Sequence, residues 1–334
     1  MSDPRQGRPT RMAVLATAAS AAGVTALTAC TSPADQQRPP SSGTAGPRPA
    51  RPTTPGQSIS SQARRLLEVN TWRAHPDEVE VACKTTAVRQ VVTALTITPG
   101  QAPAPTTPAP LRDLRGLVTD MNETAVEVIY PQYGGMTPDR RHASVMVVLD
   151  VIGISAPDAR SRRTSMTLDV RLRKGHTWQV REVLIPQTQN RAATVPQEVQ
   201  DLLSSQRIDL PRMARLDLVS NRVAPELVTV MTALTRRWHL SVQVLRAGHP
   251  ENVFATNRRS NHSLGRAVDL WALDRVPVID HDRSPWRRVM EAAAELGANE
   301  VGGPVDLAGP AFFTDLVHQD HLHVAVESKT NNNS

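Results

Sequence analysis

Two clusters near the C-terminus combine residue types that can bind a metal. The first reads Ser260-Asn-His262-Ser-Leu-Gly265-Arg-Ala267-Val-Asp269, and the second, further on, reads His318-Gln-Asp320-His321-Leu-His323. A catalytic zinc ion commonly takes three nitrogen or oxygen ligands from the protein and leaves a fourth position to water, so two imidazoles and a carboxylate suffice. His262, Asp269 and His323 make up such a set. Gly265 lets the backbone turn between the first two, and Ala267 keeps volume out of the pocket, while Leu264, Val268 and Leu270 are expected to anchor the segment in a core. His321 and His323 stand two apart on an expected strand and face the same way, with Leu322 and Val324 turned to the core. The alternative is a polar network satisfied without a cation, but converging buried carboxylate and imidazole groups would then be costly to desolvate.

The first cluster fits Ser-x-His-x-x-Gly-x-Ala-x-Asp at Ser260, His262, Gly265, Ala267 and Asp269. With the distant His-x-His it resembles the M15 and LAS-type zinc peptidases, the D-Ala-D-Ala carboxypeptidase and murein endopeptidase group, over residues 225–327. The resemblance implies zinc on His262, Asp269 and His323, with water in the fourth position acidified by the metal. It leaves the general base open. Carboxypeptidases of the group place a Glu three residues before the last ligand, where this chain has the shorter Asp320; endopeptidases use the first His of His-x-His, here His321. An ideal strand turns Asp320 away from the face of His323, which favours His321, whereas an irregular strand start brings Asp320 back. His318 has a counterpart in the endopeptidases that lines the pocket, or else is a surface histidine. Arg246 falls where related enzymes place an arginine for a peptide carboxylate or the developing oxyanion, and Arg258 and Arg259 compete for that role. Ser260 is read as a support for the backbone or a ligand rather than a nucleophile.

The elements expected to position these groups form a C-terminal α+β unit over residues 191–327 with a small antiparallel sheet. Helices are predicted at Gln197–Ser204, at Ala224–Trp238 after the Pro225 start signal, and at Trp286–Leu296 before Gly297; strands are predicted at His239–Arg246 and His321–Val326. Trp271 and Trp286 are assigned to the core. Residues 57–190 mix helical spacing at Ser61–Thr71 and Leu111–Tyr130 with strands at 144–152 and 164–173, and a Lys174-Gly-His turn leads into a further strand. A Pro-rich run at 99–110 reads as a surface loop. The expectation is therefore an α+β chain of two domains, the first a cone-like accessory domain similar to the NTF2-like domains of exported actinobacterial proteins. His75, His142 and His176 lack ligand spacing and read as surface groups.

The first thirty residues carry an address. Arg5, Arg8 and Arg11 precede the apolar stretch Met12–Ala26, and Leu27-Thr-Ala-Cys30 resembles a bacterial lipobox, which implies a lipid on Cys30 and a place at the cell membrane on its extracytoplasmic face. Residues 31–56 read as a Pro-rich tether and 328–334 as a polar tail. Cys83, the second of two cysteines, reads as a buried small apolar residue. The net charge of +6 comes from 38 basic and 32 acidic residues. These are interspersed, without a basic face carrying aromatics, so nucleic acid is not an expected partner. The expected function is a lipid-anchored zinc peptidase acting on peptidoglycan peptides. The alternatives are a non-catalytic, metal-containing wall-binding lipoprotein, or a protein whose N-terminal domain carries the main role as an interaction module. Oligomeric state is not legible.

Overall fold

A computed structural model describes residues 69–100, 109–155 and 160–327. The lipobox, the tether, the polar tail and most of the Ser61–Thr71 stretch and the Pro-rich run lie outside these residues. The chain is α+β. The described residues belong to one compact unit and build two apolar cores, each on its own sheet.

The first core joins helix α1 (Val81–Leu95) to a four-stranded antiparallel meander: β1 (Glu123–Met136), β2 (His142–Ser155), β3 (Arg160–Lys174) and β4 (Trp178–Leu184). Between them lies the short helix α2 (Arg112–Gly116). The expected helix over Leu111–Tyr130 therefore ends early, and residues from Glu123 on are strand. The physical reason is visible in Thr124, Val126, Val128 and Tyr130, which are buried at alternate positions. β-Branched and aromatic side chains at period two suit a pleated sheet better than a helix. The strands expected within β2, β3 and β4 are present.

Strand β2 is buried at twelve consecutive positions, Ala143–Ile154. Val145, Val147, Leu149 and Val151 point into the core under α1. The opposite face is covered by the C-terminal sheet. There Tyr130 stacks on Trp271 at 4.7 Å, and Gln243 Nε2 donates to the carbonyls of Tyr130 and Met146.

The second sheet follows α3 (Gln197–Ser204), β5 (Ile208–Asp209), α4 (Arg212–Val219) and α5 (Pro225–Thr235). It continues through β6 (Leu240–Val244), β7 (Ala267–Leu273), β8 (Val276–Pro277), α6 (Trp286–Glu295), β9 (Glu300–Gly302), β10 (Phe312–Phe313) and β11 (Leu322–Ala325). The strand order is β10-β9-β11-β7-β6-β5, with β8 on β7. The expected antiparallel sheet is corrected to a mixed one: β9–β10 and β5–β6 are parallel. The helix α5 starts at Pro225, as its fixed φ favours, and Gly297 follows α6 in a left-handed conformation (φ 99°). Trp286 is core, while Trp271 is only half-buried in its stack on Tyr130. Among the described residues no helix is long and apolar enough to cross a membrane.

Candidate metal centre

Strand pairing brings the two clusters together. β11 lies between β7 and β9, and its register sets His323 directly opposite Asp269. On β7 the alternation sends Val268 and Leu270 into the core and Asp269 to the other face, beside Ala267. His262 arrives from a tight loop before β7. Ser260 Oγ accepts the amide of His262 at 3.2 Å, and the amide of Gly265 donates to the His262 carbonyl at 2.9 Å. Gly265 has φ 71°, and a Cβ there would stand 1.9 Å from the Arg222 carbonyl oxygen. Both the backbone conformation and the close approach therefore demand glycine. Leu264 departs from expectation: it is 39% exposed, because the same turn that seats His262 points its side chain outward.

Three donor atoms converge. His262 Nε2 is 3.0 Å from Asp269 Oδ1 and 3.2 Å from His323 Nδ1, and His323 Nδ1 is 3.1 Å from Asp269 Oδ1. Ligands about 2.0–2.1 Å from a tetrahedral ion stand about 3.3 Å apart, so this near-equilateral triangle has the size of one face of such a site. The far nitrogen of one ring is held by an acceptor outside the triangle, and that of the other only faces one. His262 Nδ1 lies 2.5 Å from the Leu245 carbonyl, and His323 Nε2 lies 3.5 Å from Glu300 Oε1, an ion-pair distance rather than a well-formed hydrogen bond. The Leu245 carbonyl fixes the His262 tautomer that leaves a lone pair on Nε2, and the Glu300 carboxylate favours the same arrangement in His323. Two such lone pairs 3.2 Å apart repel unless a proton or a metal cation lies with them.

The electrostatics favour a cation there. Burial disfavours charge on His323, but the carboxylates of Asp269 and Glu300 prevail and raise its pKa to about 9. Asp269 is buried too, yet the positive charge that His262, His321 and His323 can carry beside it holds it well below the usual carboxylate range. A fourth imidazole stands close by: His249 stacks on His262 at 3.9 Å between ring centres, and His249, His262 and Asp269 offer donor atoms that all lie within 4.8 Å of one another. The triangle with His323 is the tighter set, and His249 Nδ1 is already engaged with the Pro250 carbonyl at 2.8 Å.

The second cluster divides by role. His321 lines the cavity above the triangle, with Nε2 3.9 Å from Asp269 Oδ2 and Nδ1 2.6 Å from Asp320 Oδ1. Asp320 is turned away from the cavity and both of its oxygens are occupied. Its Oδ2 receives Lys84 Nζ at 2.5 Å and the amide of Tyr133 at 3.2 Å. Lys84 is wholly buried and also meets Glu78 at 2.5 Å. Burial works against the charge on Asp320, but Lys84 and His321 outweigh it and keep the group below the usual range, whereas desolvation pushes Glu78 up to about 7. One cation thus serves two acids, and Glu78 is the one of the two that burial pushes towards its neutral form. His318 lines the cavity as well, held by Asp315 Oδ1 at 2.7 Å against the edge of Phe313.

The cavity is about 200 Å³ and is lined by Tyr133, Gly135 and Met136 of β1 together with Phe254, Arg258 and Phe313. Ser260, His262, Asp269, His318, His321 and His323 all border it. Arg246 and Arg259 do not. They line a neighbouring depression with Arg222, where Asp217 Oδ2 accepts the backbone amide of Arg246. Of the three arginines in competition, Arg258 is the one that lines this cavity.

Several residues of the site carry no ligand-like spacing: His249, Glu300, Asp315, Glu78, Lys84 and Gln132. Lys84 alone left a trace, for it occupies the buried stripe of α1 with Ala87, Val91 and Leu95, where a charge needs a partner. No family model matches the chain, and neither a curated protein nor a solved structure does.

Proposed function

We propose that the protein is a zinc-dependent peptidase of the exported cell wall space, hydrolysing a peptide bond in peptidoglycan, with His262, Asp269 and His323 as the zinc ligands. The observation that carries this reading is the donor triangle with 3.0–3.2 Å edges, bordered in the same cavity by His321. Zinc, when bound, supplies Lewis acidity, which acidifies a water and polarises a carbonyl. The chain's own residues supply the proton handling. His321 keeps Nδ1–H on Asp320, so Nε2 is free to take a proton, and the Asp320 carboxylate stabilises the imidazolium that results. Lys84 keeps Asp320 ionised for that purpose. The assignment therefore favours His321 as general base and gives Asp320 the task of holding it. Arg258 offers a cation at the cavity wall for a peptide carboxylate, and Phe254, Phe313 and Met136 give the rest an apolar lining. The lipobox at Cys30 and the Pro-rich tether support a site held at the outer membrane face within reach of wall peptides.

His323→Ala is expected to lose both bound zinc and cleavage of defined muropeptides, with products read by mass. Full cleavage by that variant would sink the proposal. The stacking of His249 on His262 favours one second reading, in which His249 takes the fourth position and closes the site as a non-catalytic, metal-containing wall-binding protein. In that case His249→Ala weakens metal binding and the wild type cuts no muropeptide.

A further inference from the structure

Gln132 comes from β1, in the half of the chain that carries no metal motif, yet it reaches the centre of the site. It is wholly buried, and its Nε2 donates to Asp269 Oδ2 at 2.6 Å. The other oxygen of that carboxylate, Oδ1, is the one that meets His262 and His323. The amide's own acceptor, Oε1, is buried without a hydrogen-bond partner among the described residues. A buried amide with an unpaired acceptor is costly, so its place is not explained by its own satisfaction. Its donor end accounts for it. A short bond to Oδ2 engages one of that oxygen's two lone pairs and draws charge from it, which makes Oδ1 the better donor to a cation. A neutral donor also does this without cancelling the carboxylate's charge, as a lysine would.

We infer that Gln132 is a positioning residue that holds Asp269 to one-oxygen ligation, so that the N-terminal sheet sets the coordination number of the metal and keeps a position open beside His321. The inference rests on the metal ligands named in the proposed function and not on the substrate. Outer hydrogen-bond partners of metal ligands change affinity by about ten- to a hundredfold when removed.

The test uses the full chain loaded with cobalt(II). Gln132→Leu and Gln132→Met, each checked for a folded circular dichroism spectrum, are expected to bind cobalt about ten- to a hundredfold more weakly. Their visible spectra should shift as the second oxygen becomes free to ligate. X-ray absorption of the wild-type cobalt protein needs no variant, and should count a single carboxylate oxygen. Unchanged affinity and spectrum in both variants, or two carboxylate oxygens in the wild type, would overturn the role of Gln132 while leaving the metal centre in place. Failure of the wild type to bind cobalt at all would overturn the metal centre itself, and this inference with it.

Discussion

The two sheets meet at one site but contribute to it in opposite ways. The C-terminal sheet supplies the donors: His262, Asp269 and His323 lie within 62 residues of one another, on a loop and two adjacent strands. The N-terminal sheet supplies no donor to the triangle and instead fixes the donors' surroundings. Gln132 occupies the second oxygen of Asp269, the amide of Tyr133 and the ammonium of Lys84 occupy Asp320, and Tyr130 stacks on Trp271. The donor atoms and their support are thus carried by different stretches of chain. A centre built this way should fail when either half is loosened, even where no ligand is touched.

The largest effect is expected from Lys84→Met, which leaves Glu78 and Asp320 buried without their shared cation. Removing one partner from a buried ionic network costs about 3–5 kcal/mol, to be read from urea unfolding. A loss under about 1 kcal/mol would mean that the two halves are not joined through this network. Next come paired truncations in the two cores. Leu168→Ala under α1 and Leu270→Ala behind Asp269 both remove wholly buried side chains, each at about 2–5 kcal/mol. Both should displace the same single unfolding transition, since polar and aromatic contacts bind the sheets into one unit. Two separable transitions, each moved by only one variant, would break the comparison.

The smallest effect is a pH slope. Burial raises Glu78 in the folded protein to about 7, above the ordinary glutamate value of 4.5. Over that interval the folded state holds more protons than the unfolded one, so this group's contribution is full below the lower value and is lost as pH rises towards 7. The slope is at most about 1.4 kcal/mol per pH unit. Glu78→Gln should flatten it in denaturation curves taken from pH 4.5 to 7, and an identical slope in the variant would place the proton elsewhere.

Much of the donor set was legible because it rests on local rules. The turn at Gly265 and the alternation of β11 follow from spacing and backbone geometry, and they sort His323 from Leu322 without any knowledge of the fold, whereas β7, which carries Asp269, was not among the expected strands. The same logic failed at Leu111–Tyr130, where apolar spacing suited a helix and β-branched residues settled into a strand. It failed again at Leu264, whose apolar side chain the ligand loop turns outward.

What the amino-acid order determined by itself was the candidate donor set, His262, Asp269 and His323 with His321 beside them, and the alternation that turns His321 and His323 one way and Leu322 and Val324 the other. Only the tertiary structure decided what those groups meet. Gln132 stands 137 positions from Asp269 and Lys84 stands 236 from Asp320. No periodicity links residues so far apart. Their pairing is set by the packing of one sheet on another, where a buried carboxylate accepts whichever donor the opposing surface brings within reach.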